Sequence, residues 1–248
     1  MSDTPAQTAP FVVVIDGPSG SGKSSVSRAV ADRLGLAYLD TGAMYRALTW
    51  WCLDQGVDLE DTDAVTAAAE SMPLRMGTDP TDPRVDVGGT DVTAAIRETG
   101  ISSVVSAVAR HLPTRAVLIA AQRECIERCS RPGIVAEGRD LTTVVAPDAD
   151  VRLLITASED ARLARRAREL HGGDGEDAIA ATRDQVVRRD RDDSAVASFL
   201  EPTDGVRLLD TSELDFETTI AAVLELVERA RAGVVDGHGE RARSHARE

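Results

Sequence analysis

The chain has 248 residues, 42% of them apolar and 28% charged, which supplies a sizeable core and excludes a wholly disordered polymer. Its 42 acidic against 28 basic residues leave a net charge of −14, so a protein that coats nucleic acid through its phosphates is excluded. Any anionic ligand must instead be held by a local cationic cluster.

No apolar run approaches the ~20 residues of a membrane span. The first ten residues, MSDTPAQTAP, are polar without a basic residue, and the FVVVI that follows is too short for a secretory core. The cysteines, Cys52, Cys125 and Cys129, are odd in number and lack C-x-x-C spacing, which fits buried free thiols in a reducing cytoplasm.

Residues 11–16 (FVVVID) read as a buried strand, β-branched and met at once by glycines. GPSGSGKSS opens a helix to about residue 34, with Val26, Ala29, Val30 and Leu34 near helical spacing. Residues 36–39 form a second strand ending at Asp40, and 41–53 a helix with Thr41 or Asp40 at its N-cap. Residues 61–71 are helical again. From 72 to 94 the segments are short and alternating, broken by Asp-Pro and Gly-Gly, which predicts a small antiparallel insertion reaching to about residue 100.

Helical patterning returns over 101–111 and 113–130, the latter placing Cys125 and Cys129 on one face. Residues 134–136 and 151–155 are strands. A basic helix spans 158–170, HGGDGED at 171–177 reads as a mobile break, and the chain to about Asp193 is dense in both charge signs. Residues 206–209 give a last strand and 216–232 a last helix. The alternation predicts an α/β fold, a parallel sheet flanked by helices on both faces, with ligands beyond the carboxyl ends of the strands. A flexible start over 1–10, a single domain over 11–232 and a disordered tail over 233–248 complete the expected organisation.

Gly17-Pro18-Ser19-Gly20-Ser21-Gly22-Lys23-Ser24 matches G-x-x-x-x-G-K-[ST] between a predicted strand and a predicted helix. The glycines let the backbone wrap phosphates with its N–H groups, and the helix N-terminus adds partial positive charge. Lys23 supplies a point charge to the β- and γ-phosphates, and the Ser24 hydroxyl a ligand for Mg²⁺. Lys23 is the only lysine, and the chain has no asparagine. A compositional bias toward arginine accounts for this, yet the surviving lysine sits where the motif requires it. Without asparagine no N-K-x-D can read guanine, and the H-R-D and D-F-G sets of a protein kinase are absent.

A small-molecule kinase needs a second site for its acceptor. If that acceptor is itself a phosphate, no general base is required, but arginines must neutralise two facing polyanions. Arg46 in LDTGAMYRA and Arg139 in AEGRD fall at strand ends, where they serve either this purpose or a surface ion pair.

IDGPSGSGKSS, YLDTGAMYRA, VAEGRD with the following TVV-PDA, L-I-TAS with the arginines after it, and a closing L-DTS occur in that order. Together they strongly resemble the bacterial cytidylate kinases, a family of P-loop nucleoside-monophosphate kinases, over about residues 11 to 232. The resemblance implies a P-loop NTPase-type sheet, an enlarged nucleotide-binding insertion at about 72–100 and a helical lid at about 158–193. It implies transfer of the γ-phosphoryl of MgATP to CMP or dCMP. ATP would bind Gly17 to Ser24 and Ser25, with Ser24 on the metal. Thr41 would lie near the acceptor sugar and Tyr45 in the acceptor pocket, with a packed aromatic as its alternative. Arg46 and Arg139 would hold the acceptor phosphate, and Ser106, Arg115 and Asp140 would read the base.

A carboxylate accepting from the cytosine amino group and an arginine donating to its ring acceptors make chemical sense, because uracil reverses that pattern. Among the lid arginines Arg162, Arg165, Arg166, Arg188, Arg189 and Arg191, the resemblance favours Arg189 for catalysis, with Asp193 beside it on the acceptor. Lys23 and Arg139 complete the implied catalytic set. Glu137 is expected either to order metal-bound water or to stabilise the fold. Partners are small molecules only, with neither nucleic acid nor membrane, and a monomer is expected.

Three residues depart from the family pattern. Val196 stands where an arginine is usual, Thr142 where glycine follows AEGRDL, and Ala146 where an aromatic precedes Pro-Asp. They keep open a kinase for UMP or another small phosphorylatable acceptor; a non-catalytic nucleotide sensor is the non-enzyme alternative, against which the intact Lys23, Ser24, Arg46 and Arg139 stand.

Overall fold

Apolar β-branched runs too short for helices pair side by side at the centre of the molecule. The computed structural model describes residues 9–175, 177–183, 186, 191 and 201–233. Five strands, β1 (Phe11–Asp16), β2 (Ala37–Asp40), β6 (Gly133–Gly138), β7 (Val151–Thr156) and β8 (Arg207–Asp210), lie parallel in the order β2-β6-β1-β7-β8. Phe11 pairs with Gly133 and Asp16 with Gly138, so β1 and β6 end level at one edge of the sheet. All six residues of β6 are buried, as expected of a strand covered on both faces.

Helices α1 (Lys23–Leu34) and α8 (Phe216–Arg231) cover one face, with Val26, Val30, Ile220 and Val223 against Val13, Ile15 and Leu153. On the other face Ile126 of α6 (Leu112–Glu127) joins Leu141 and Val145 over Val14, Leu39 and Ile134. Burying each such side chain contributes roughly 1.5–3 kcal/mol. Helix α2 (Thr41–Asp54) follows β2 without a linker, and α3 (Thr62–Ser71) packs on it through Val65 and Ala68. Both helices are capped by an aspartate side chain, Asp40 and Asp61.

The insertion is antiparallel as expected, with β3 (Leu74–Met76), β4 (Val85–Val87) and β5 (Thr90–Asp91) in that order. Val85, Val87, Val92 and Ile96 seat it on Ala43 and Ala47 of α2. The helix expected over 101–111 is in pieces: a 3₁₀ turn (Ala95–Arg97), α4 (Thr99–Ser102) and α5 (Val105–Ala109). The bends keep Ile96, Ile101, Val105 and Val108 all buried, which one straight helix would not. Helix α6 stops at its C-cap Arg128, so Cys129 lies beyond it and points at the carbonyls of Arg131 and Gly133 rather than sharing a helix face with Cys125.

A π-helical turn, Leu141–Val145, unexpected from the sequence, follows β6. Helix α7 (Glu159–His171) starts at the Ser158 cap and ends on left-handed Gly172, and 177–183 is helical again. No single helix among the described residues is long and apolar enough to cross a membrane. Residues 1–8 of the expected flexible start and 234–248 of the expected tail lie outside the described residues.

Candidate active site

The carboxyl edge of the sheet carries the chemistry. Strand β1 stops at Asp16 and α1 begins at Lys23, so the glycine-rich segment turns between a strand end and a helix N-terminus. A Cβ on Gly17 would stand 2.1 Å from the Ile155 carbonyl oxygen, so only glycine lets the loop pass β7 so closely. Gly22, at the N-cap of α1, has φ 85°, the left-handed region, and open space on its Cβ side.

At the head of α1 two side chains meet Glu137 from β6. The Ser24 hydroxyl donates to Glu137 Oε1 at 2.6 Å, and Lys23 Nζ lies 3.7 Å from Oε2. Tyr38 donates to the same carboxylate at 3.3 Å. Burial pushes the Glu137 carboxyl up, the neighbouring Asp40 pushes it further, and Lys23 and Ser24 pull only part of the way back. Ser24 and Glu137 thus place two hard oxygen donors side by side, a set that suits Mg²⁺.

Asp40 caps α2 by accepting from Ala43 N at 2.8 Å and also accepts from Arg46 Nη2 at 2.8 Å. Burial drives its carboxyl up, but Arg46, the Ala43 N–H and Arg97 outweigh that and hold it below the usual range. The two neighbouring carboxyls are thus shifted in opposite directions, Asp40 down by its cations and Glu137 up by burial. Arg46 Nε is buried with no acceptor among the described residues. Thr41 donates to the Glu137 carbonyl at 2.8 Å and sits so close to β6 that a Cβ on Gly138 would lie 2.5 Å from its hydroxyl.

Beyond Gly138 the chain presents Arg139 and Asp140. Arg139 Nη1 donates to the Gly17 carbonyl, which ties the end of β6 to the glycine loop. Arg115 Nη2 donates to Asp140 Oδ2, and its guanidinium lies 6.0 Å from the Tyr45 ring centroid. The pair is dry enough that burial raises the Asp140 carboxyl even beside Arg115.

These groups line two adjoining spaces. A pocket of about 640 Å³ is walled by Thr41, Tyr45, Arg46, Arg115, Arg139 and Asp140, with Val105 and Ala109 of α5. An open cleft of about 1140 Å³ runs from it along the glycine loop; Lys23, Arg46, Arg97, Arg139 and Arg166 line that cleft against a single carboxylate, Asp40. That cationic excess, on a chain of net charge −14, is the local cluster an anionic ligand requires.

The family model described as cytidylate kinase matches residues 13–229. A cytidylate kinase of Streptomyces avermitilis is 46% identical over 94% of this chain and 99% of its own length. Those of Streptomyces coelicolor, at 47% over 94% of this chain and all of theirs, and Cutibacterium acnes, at 49% over 89% and 97%, are similar to the same extent. The chain belongs to the cytidylate kinase family.

Against the family pattern, the structure gathers Thr41, Tyr45, Arg46, Arg115, Arg139 and Asp140 around one pocket, with Lys23 at its mouth. Ser19, Gly20, Gly22, Ser24 and Ser25 line the adjoining cleft; Pro18 lies behind them, its carbonyl accepting from Ser21 N at 3.4 Å. Ser106 is half-buried on α5, and its helix neighbours Val105 and Ala109 line the pocket in its place.

Two lid candidates are occupied elsewhere. Arg162 Nη1 donates to the Ser19 carbonyl at 2.9 Å, and Arg165 Nη1 to that of Ser21 at 3.2 Å and to Thr211 Oγ1 at 2.9 Å. Both brace the outside of the glycine loop, because the first turns of α7 pack directly on it. Of the α7 candidates only Arg166 lines the cleft. Arg191 is exposed, and Arg188, Arg189, Asp193 and Val196 lie outside the described residues. Arg97, which no motif announced, lines the cleft and helps hold Asp40 ionised. Its signal in the sequence was an isolated arginine at the end of the insertion, where the chain returns to the sheet.

Proposed function

We propose that the chain transfers the γ-phosphoryl group of MgATP to CMP or dCMP, giving ADP and CDP or dCDP. The observation that carries this reading is the joining of two unlike sites in one hollow. A phosphate-wrapping loop opens onto a row of arginines, and the row leads to a buried Arg115–Asp140 pair. Family membership supports the same reaction.

ATP phosphates lie along Gly17 to Ser24 with Lys23 across them, and Ser25 and Arg166 flank the cleft. Ser24 and Glu137 would hold Mg²⁺, which would supply charge neutralisation at the transferring phosphoryl group. Arg46, Arg97 and Arg139 take the acceptor phosphate; Arg46 brings its unpartnered Nε to it, and Arg139 gives up the Gly17 carbonyl. Asp140 accepts from the cytosine amino group while Arg115 donates to its ring acceptors, and Thr41, Tyr45 and Ser106 close the sugar and base end. The family resemblance adds Arg189 and Asp193 to the acceptor's ligands. The attacking phosphate oxygen is already ionised, so catalysis is positioning and electrostatics rather than proton transfer.

Donor and acceptor sites both come from one chain, so a monomer suffices, and three free thiols fit the reducing cytoplasm. The test is MgATP-dependent ADP formation with CMP, dCMP, UMP and AMP, beside a Lys23→Ala control. Turnover confined to CMP and dCMP, and lost in the control, is expected. Equal turnover of UMP would remove the base-reading roles of Arg115 and Asp140.

A further inference from the structure

Asp16 ends β1, immediately before the glycine loop, yet its bonds go to the acceptor side. Its buried carboxylate accepts from Leu141 N at 3.1 Å, from Thr142 N at 2.8 Å and from the Thr142 hydroxyl at 2.7 Å. Leu141 and Thr142 open the π-helical turn Leu141–Val145, and the first N–H groups of a helical turn have no partner within it. The residue placed to cap that turn is Asp140, but its side chain makes no cap bond and is paired with Arg115 instead. Asp16 supplies the missing acceptor from another strand.

The three donors are neutral, so burial pushes the Asp16 carboxyl up to about 6, with Asp140 adding like charge. A buried carboxylate without a cation is an expensive cap, and a neutral side chain would hold the fold at less cost. What the charge adds is stiffness at two consecutive main-chain positions directly after Arg139 and Asp140. Thr142 strengthens it: the glycine usual in the family offers an N–H alone, whereas this chain adds a buried hydroxyl on the same oxygen. A second tie, Arg139 to the Gly17 carbonyl, is lost when that guanidinium turns to a phosphate. The Asp16 tie grips main chain and persists through the cycle.

We infer that Asp16 and Thr142 form a positioning clamp, in which Asp16 caps the turn in place of Asp140, leaves that carboxylate to the acceptor pocket and fixes Arg139 and Asp140 against the donor loop. The inference rests on the kinase reading above.

Steady-state kinetics with MgATP and CMP test it on the full chain, alongside melting temperatures at pH 7.5. For Asp16→Asn, kcat/KM for CMP falls about tenfold or more while the KM for ATP holds within about twofold, because the turn held by the clamp follows directly on Arg139 and Asp140, which the kinase reading gives to the acceptor. The melting temperature stays within a few degrees, since the charge removed was an uncompensated one. Thr142→Val shows the same one-sided loss, smaller in size, and Thr142→Ser recovers most of it. The clamp is overturned if the KM values for ATP and CMP shift together, or if kinetics hold while melting temperature drops. Should Asp16→Asn fail to fold, the Thr142 pair decides. A wild-type protein that turns over no CMP would defeat the kinase reading itself, whereas normal wild-type turnover with unmoved variants would defeat the clamp alone.

Discussion

The donor loop is eight consecutive residues, Gly17 to Ser24, whereas the acceptor pocket gathers Asp40, Arg46, Arg115, Arg139 and Asp140 from separate parts of the chain. The loop depends on main chain, on a strand end and a helix start, and two of its glycines, Gly17 and Gly20, meet neighbours too close for any Cβ. The pocket depends on charges, and these are paired with one another: Arg46 with Asp40 and Arg115 with Asp140. A main-chain site tolerates loss of a side chain without harm to the fold. A site of buried ion pairs does not, because removing one partner strands the other.

The sharpest way to break this contrast is Arg46→Met. It leaves Asp40 buried and ionised, so stability falls by about 3–5 kcal/mol in chemical denaturation, together with loss of acceptor binding. Lys23→Ala belongs to the other class. Turnover falls by about 10²–10³-fold, on the order of 3–4 kcal/mol in the barrier, while stability moves by less than about 1 kcal/mol. Glu137 keeps the hydrogen bonds from the Ser24 and Tyr38 hydroxyls when Lys23 is gone. An equal stability loss in the two variants would end the distinction.

The next effect concerns pH. The Asp16 carboxyl lies near 6 in the folded chain against 3.8 ordinarily, so folding favours its protonated form. Its contribution to stability is therefore full below the ordinary value and is lost as pH rises through 6. Between pH 4.5 and 7.5 the stability of the wild type relative to Asp16→Asn drops by about 2 kcal/mol, which paired denaturation curves measure. The smallest effect is in specificity. Asp140→Asn presents an amide in place of the acceptor-only carboxylate, and the preference for CMP over UMP falls about tenfold, a cost typical of one unpaired buried polar group. Competition between the two acceptors reads it directly, and an unchanged ratio would place base choice elsewhere.

The same contrast governs what was legible in the sequence. The loop is one contiguous motif between a strand and a helix, and it stands where it was expected. The sheet was legible too, although β6 runs over Gly133–Gly138 rather than 134–136. Its end residues are glycines, Gly138 required by the Thr41 hydroxyl and Gly133 by the Phe11 carbonyl, which would lie 2.3 Å from a Cβ. Helix periodicity could not show the break at Ser103 and Val104, since neither residue is a breaker and the bend is imposed by the surfaces the pieces cover. Arg97 escaped for a related reason: its place in the cleft is set by how the insertion docks on α2. Arg162 and Arg165 were placed among the lid arginines by the resemblance, whereas their helix packs against the loop they brace.

A chain with one lysine among 28 basic residues offers a tool as well as a mechanism. The ε-amine of Lys23, its side chain 12% exposed beside Glu137, is the single such group in the protein. An acylating or reductively alkylating reagent that distinguishes ε-amines from an α-amine would count nucleotide sites one per chain. Protection by bound nucleotide would then give an occupancy scale that needs no turnover. Arginines elsewhere on the surface stay silent in that chemistry, so the bias that emptied the chain of lysine has also left its phosphate site chemically addressable.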